Sequence, residues 1–370
     1  MAASSWSRRE AFRLGGAAAA GLVVAACATS ASSGRPSGAA AGSSSAGGAA
    51  KLTGSALEKA AKAEGGHVVW YNSGNPNLVA AVTKAFTKAY PWASVAGTPV
   101  AFSDLPAKLI SEKVTSAPTA DVTWFPPTLR QKLESYSIFQ ALTLAGDTNM
   151  PASTLDPQHY AHPVWQLGVG LVYDPKVVTS PPKTPQDLAD PQWKGQIAFD
   201  RVQNLGQSTT WLAVWKQQMG ASAWEGWIDD LQKQDIFLEP DANSSFTAVQ
   251  QGQKKLGISA SNYVFSQPAG GAITMDFNIQ VVPFYNHQYL TVRAQHPASA
   301  KLFMEFASSA AGQTAISTVG LSPIMNVDTP NTLDKFIPKG TSGLLPGNDE
   351  SDFIANTSTY VTDLSKRWPG

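Results

Sequence analysis

Apolar residues fall in short dense blocks, separated by longer stretches where they recur every three or four positions. Residues 67–71 (HVVWY) read as a buried strand. Asn75-Pro76 comes next, an N-cap with proline at the first helical position, and then Leu78, Val79, Val82, Phe86 and Tyr90 on one helical face, until Pro91 stops the helix. Ahead of this unit, Ser55 and Glu58 have the spacing of a capping box, opening a helix that Gly65-Gly66 ends. Residues 120–125 (ADVTWF), broken by Pro126-Pro127, and 169–173 (VGLVY) predict two more strands, and Thr184-Pro185-Gln186-Asp187 predicts another helix start. Strands alternating with helical segments predict open parallel α/β sheets.

The N-terminus has a different pattern. Arg8, Arg9 and Arg13 precede an uncharged apolar run over 14–26, well short of the roughly 20 residues needed to span a bilayer, so residues 1–26 read as a signal peptide. Residues 7–12 (SRREAF) resemble a twin-arginine export signal, with Ala11 where a larger apolar residue is usual; an ordinary Sec n-region is the alternative. The run ends in Val24-Ala25-Ala26-Cys27, which resembles the lipobox of bacterial lipoproteins and makes Cys27 the expected lipid attachment site. Cys27 is the single cysteine, so no intrachain disulfide can form. Beyond it, the segment to residue 50 holds no large apolar side chain and one charge, Arg35. Residues 27–50 are therefore expected to be a Gly/Ser-type tether with a reach on the order of 25–30 Å.

The charges balance at 27 Lys and Arg against 27 Asp and Glu, and removing the leader leaves the chain near −2. The basic residues are scattered singly, which excludes the footprint of a nucleic-acid binder. Of the five histidines only His159 and His162 have local spacing; with Pro157 and Pro163 beside them they predict a structural surface loop rather than a metal site. There is no G-x-S-x-G elbow and no Gly-rich phosphate loop after a strand, so neither catalysis nor a cofactor is expected. Trp211, Trp215, Trp224 and Trp227 lie on helical segments and are expected in the core rather than on a sugar.

Five stretches, in order, resemble the type II periplasmic solute-binding proteins of ABC importers, in the branch that includes ferric-ion receptors. They are 68–91; 120–125; 171–175 with 181–200; 248–252 leading through 256–258 to 261–263; and 296–316 with 320–323. The resemblance implies a two-lobed α/β fold, two open sheets joined by a two-crossing hinge. Lobe one would be 67–165 plus 280–345 and lobe two 166–279, crossing near 166–170 and 278–283. Ligands in such sheets sit beyond the carboxyl ends of the strands, and closure is a rigid-body motion about the crossings. It also implies a non-enzymatic, monomeric receptor, exported and lipid-anchored at the outer face of the cell membrane, that hands a solute to permease and ATPase subunits.

Candidate contacts are the residues just past strand ends. In lobe one these are Asn72, Ser73 and Gly74, ahead of a helix N-terminus suited to an anionic group, and Phe125 on a wall of the site. In lobe two they are Gln207, Ser208 and Thr209 at the start of the Trp211 helix, Asn243 at the next helix, and Asn262 with Tyr263 after the strand at Gly257. Ser208 and Thr209 match positions where the ferric receptors hold a synergistic anion; ordinary helix capping is the alternative. Ferric receptors use two adjacent tyrosines, and here the second is replaced in Tyr263-Val264-Phe265, with no acidic helper in the Asn-Ser-Gly-Asn loop. The expected ligand is therefore a small polar organic solute, anionic or zwitterionic. The alternative is a ferric ion with Tyr263 as its metal ligand.

Overall fold

The computed structural model describes residues 46–369 except 74, 102, 103, 151–153, 269, 325, 326, 330, 342 and 346–349. The expected signal peptide, Cys27, the tether up to residue 45, and Gly74 lie outside the described residues.

Among the described residues the strands are β1 (His67–Ser73), β2 (Ser94–Val100), β3 (Val122–Phe125), β4 (Phe139–Gln140), β5 (His162–Tyr173), β6 (Ile197–Asp200), β7 (Phe237–Glu239), β8 (Leu256–Ala260), β9 (Thr274–Met275) and β10 (Val282–Thr291). The helices are α1 (Ala46–Ala49), α2 (Gly54–Ala63), α3 (Pro76–Ala89), α4 (Leu105–Thr115), α5 (Gln131–Glu134), α6 (Gln207–Met219), α7 (Ala221–Gln232), α8 (Ala242–Gln250), α9 (Ser261–Phe265), α10 (Pro297–Ala307), α11 (Ala310–Ser317) and α12 (Glu350–Arg367).

The sheet runs β2-β1-β3-β10-β5-β8-β6-β7, with β4 beside β10 and β9 beside β5. At one end β1 pairs parallel with β2 and β3, and at the other β6 pairs parallel with β7 and β8. Each end is an open parallel α/β half. Between them, the long strands β5 and β10 run antiparallel to each other, β10 pairing onward with β3 and β5 with β8. The two halves of the two-lobed fold are thus joined by one ribbon. Its register shifts between Asn286 and His287, opposite Trp165 and Pro163. Pro163 cannot donate to a ladder, and a bulge is where a sheet tolerates that.

The core is aromatic in both halves. Trp70, Trp124, Phe86 and Phe303 pack against one another in the first, with Trp70 and Trp124 ring centroids 4.5 Å apart. Trp211, Trp215, Trp224 and Trp227 are buried in the second, as their spacing predicts; Trp224 Nε1 donates to Leu212 O and Trp227 Nε1 to Pro185 O.

Four local expectations change. The Ser55/Glu58 capping box does not form: α2 starts at Gly54 after Thr53, which makes no side-chain cap, and Glu58 pairs forward with Lys62 at 2.9 Å. The start at Thr184 is capped by Asp187, but Pro185 and Pro191 hold the segment beyond it to two short 3₁₀ turns. His162 is not in a surface loop but buried on β5, with Nδ1 3.0 Å from Asp147. The end of the expected tether is not free coil either: residues 46–49 are helical, Ala49 is buried, and Lys301 Nζ on α10 donates to Ala50 O.

Candidate functional site

A cleft of about 1180 Å³ is lined by residues from both halves and from the ribbon between them. Ser73, at the carboxyl end of β1, lies on its wall with Asn75 and Asn77 at the start of α3. Asn75 Oδ1 accepts from Leu78 N at 3.1 Å, so the cap expected from the Asn-Pro pair forms. From the other half come Asp200 at the end of β6, Gln207 at the start of α6, Asp241 and Asn243 around the start of α8, and Asn262 and Tyr263 on α9. Trp165 of β5 with Phe284 and Asn286 of β10 form the wall at the ribbon.

Ser73, Gln207, Asn243, Asn262 and Tyr263 of the sequence candidates are thus brought to one cleft. Asn72, Phe125, Ser208 and Thr209 are not on its wall. Asn72 is fully buried and its Nδ2 donates to Asn75 O, holding the turn beneath the wall. Phe125 is core: its ring stacks on Tyr289 with centroids 4.1 Å apart, and the next residue, Pro126, reaches the cleft instead. Ser208 and Thr209 spend their hydroxyls inside the protein. Ser208 Oγ donates to Asp200 Oδ1 at 2.5 Å, and Thr209 Oγ1 donates to Val202 O at 2.9 Å. Nor do they cap α6: its N-cap is Gly206, which makes no side-chain cap.

Two carboxylates on the wall, Asp200 and Asp241, are not among the sequence candidates. Asp200 closes β6, where a strand-end rule points, but the hydroxyls of Ser208 and Thr209 are the more conspicuous signal. Its Oδ1 accepts from the backbone N–H of Ser208 at 2.7 Å, at the N-terminus of α6. Gly206 lets it sit there, since a Cβ at 206 would lie 1.8 Å from Asp200 Oδ2. Asp241 is the N-cap of α8 and accepts from Ser244 N at 2.8 Å and Ser244 Oγ at 2.9 Å. The signal in the sequence is Pro240-Asp241 ahead of an apolar-periodic segment. Trp165 and Asn286 carry no local signal, because their place on the wall depends on the pairing of two strands far apart in the chain.

The cleft is electrostatically one-sided. Among the described residues, the charged side chains on its wall are Asp200 and Asp241; no Lys, Arg or His lines it. Burial pushes the Asp200 carboxyl up to about 6, against the opposing hydrogen bonds from Ser208 and helped by the charge of Asp241. Burial, then the charge of Asp241, pushes the Tyr263 phenol up to about 12, so it stands as a neutral phenol at neutral pH. No group of three or more His, Cys, Asp or Glu is placed to hold a metal among the described residues.

No curated protein sequence matches the chain. Solved structures do share its fold. Iron-bound HitA from Pseudomonas aeruginosa superposes with a TM-score of 0.67 at 17% identity, covering 80% of this chain and 99% of that one. The periplasmic binding protein AfuA from Actinobacillus pleuropneumoniae, with fructose-6-phosphate bound, gives 0.68 at 17% identity over 81% and 98%. A periplasmic thiamin binding protein gives 0.66 at 17% identity over 81% and 96%. The fold is therefore that of the type II periplasmic binding proteins, and the match of residues 117–352 to the bacterial extracellular solute-binding proteins makes this chain a member of that family.

Proposed function

We propose that this protein is the extracytoplasmic receptor of an ABC importer, and that it binds a small polar organic solute in the cleft between lobe one (67–165 plus 280–345) and lobe two (166–279). The observation that carries the reading is a single cleft of about 1180 Å³ walled by both parallel halves and by the ribbon that joins them. Such a volume suits a small molecule, and its polar groups are mostly amides that orient a ligand without reacting with it. Binding, not turnover, is the task. The β5–β10 ribbon is the hinge, with Ser73 meeting Gln207, Asn243, Asn262 and Tyr263 across the solute on closure. Permease and ATPase subunits are the partners that the family implies. Export through the N-terminal signal and lipidation at Cys27 would hold the receptor, as a monomer, at the outer face of the membrane.

The test is a thermal-shift screen over amino acids, amines, sugar phosphates and metals, and then solution scattering. A solute at about 100 times its Kd adds roughly 2.7 kcal/mol to the stability. The radius of gyration should shrink with that solute and the solute should be recovered unchanged. A protein that keeps its dimensions in the presence of a stabilising solute would sink the hinge.

A ferric ion is the second reading, favoured by one observation: Asp200, Asp241 and Tyr263 share a wall, which provides acidic oxygens that the Asn-Ser-Gly-Asn loop lacks. A reddish complex with ferric salt, bleached by Tyr263→Phe, is its signature.

A further inference from the structure

We propose that the cleft is selective for an organic cation, whose ammonium nitrogen is held by Asp241 and Asp200 against the rings of Tyr263 and Phe284. This deepens the reading of the cleft as the solute site and rests on it.

Charge is the first argument. The described wall carries two carboxylates and no basic side chain, so an anionic solute would enter a negative cleft with nothing to neutralise it. Walls of one sign with low-dielectric surroundings enrich the opposite ion. The N-termini of α6 and α8 do not reverse this, and at α3 the cap is the neutral Asn75. An open N-terminus attracts anions through its free N–H groups. At α6 the N–H of Ser208 already points at Asp200 Oδ1, and at α8 the N–H and hydroxyl of Ser244 already point at Asp241 Oδ1. At α6 and α8 the protein has placed its own anions where a ligand's phosphate would go.

Hydrogen-bond inventory is the second, independent argument. Asn286 is 1% exposed, and its Oδ1 has no hydrogen-bond partner in the protein; Asn262 Oδ1 is buried and likewise without one. Both residues line the cleft. Unfilled buried acceptors are costly, and the donors of an amine would relieve them. One donor, Trp165 Nε1, is also unpartnered on this wall, which leaves room for an acceptor elsewhere on the solute and keeps the zwitterionic case. The anionic case expected from the sequence is the one these observations oppose.

The aromatic surface is the third. Trp165, Tyr263, Phe265 and Phe284 all line the cleft, and a cation near such ring faces gains attraction that a neutral or anionic solute lacks. A ferric ion would need free anionic oxygens. Among the described residues no group of three or more His, Cys, Asp or Glu is placed to supply them.

The sign of the cleft can be read without knowing the solute. In a Cys27→Ser background, Asn243→Cys places a unique thiol on the wall, and Val114→Cys, at an exposed position of α4, is the reference. Each is labelled with a trimethylammonioethyl and a sulfonatoethyl methanethiosulfonate. The cationic reagent should gain at least about tenfold over the anionic one at position 243 relative to 114. Asp241→Asn, which keeps an N-cap residue, should bring the ratio toward parity. A ratio at or below parity in the parent overturns the proposal. Thermal shifts with choline and putrescine against glucose 6-phosphate, inorganic phosphate and ferric citrate form the second arm: stabilisation by a phosphate or by iron but by neither cation also overturns it. The labelling ratio is obtained whether or not any solute binds, so failure of the receptor reading and failure of the charge assignment are read separately.

Discussion

At the scale of single residues, the direction of a side chain decides whether it reaches the cleft. Gln207 and Ser208 are neighbours on one helical turn, but Gln207 lines the cleft and Ser208 is fully buried beneath it. No residue-type rule separates them; the direction of α6 relative to β6 does. Asp200 shows the cost of missing that direction, because it is the group that the Ser208 hydroxyl serves. Its carboxyl is pushed up to about 6 from an ordinary value near 3.8, so the folded state binds the proton more tightly than the unfolded chain. The resulting stabilisation is fully present below pH 4 and is lost as pH rises through 6. For a shift of this size it amounts to about 3 kcal/mol. His287 acts in the opposite sense: burial pushes it down to about 4, so its contribution is lost as pH falls from 6.5 to 4. The expected outcome is therefore a difference. Urea unfolding of Asp200→Asn and the parent should show the variant gaining on the parent by about 2–3 kcal/mol between pH 4 and pH 7.5. Parallel pH profiles would show that Asp200 is ionised as easily in the fold as out of it.

At the scale of elements, periodicity carries the most. Strand β1, helix α3 with its Asn75 cap, and strand β3 all lie where alternation and turn residues predict them. The ribbon is only half legible: residues 169–173 read as a strand, but β5 extends back to His162 through Pro163. A proline inside a strand argues against it until the partner strand supplies a bulge, and that partner is more than 100 residues away. The ribbon also places the site. Gly168 N on β5 donates to Ser261 Oγ at 2.9 Å, and Ser261 opens α9, the short helix that carries Asn262 and Tyr263. Ser261 is fully buried, so Ser261→Ala leaves the Gly168 N–H without its acceptor in a dry place. That costs about 1–3 kcal/mol and frees the start of α9. Chemical denaturation should show the loss, and calorimetry with whichever solute the screen yields should show weaker binding. Ser261→Thr, which keeps the hydroxyl, should recover part of both. Unchanged affinity in Ser261→Ala would mean that α9 is held by its packing alone.

At the scale of the whole molecule, the two-lobed plan is legible because each parallel half repeats the strand-then-helix pattern, whereas the joining of both halves into one sheet is not, since antiparallel pairing of β5 with β10 leaves no trace in either segment alone. Association with the membrane is the property at this scale that a single side chain should control. Among the described residues no helix is long and apolar enough to cross a bilayer. Among the described residues the exposed large apolar side chains, Val114, Tyr136, Val177 and Phe237, lie in four separate segments, so there they form no continuous stripe along any one element. Cys27 is the single thiol of the chain and comes directly after the apolar run, so an acyl anchor has one place to attach. One chain of lipid gives only marginal, reversible binding, and stable anchoring takes two or more. A diacylglyceryl group on Cys27 would meet that requirement, and nothing in the described body would replace it. Cys27→Ser should therefore move the protein from the detergent phase to the aqueous phase after temperature-induced phase separation, with its melting temperature unchanged, because the core is built from residues 49–368. A variant that stays in the detergent phase would show that the body itself holds the membrane, and the lipid anchor at Cys27 would have to be abandoned.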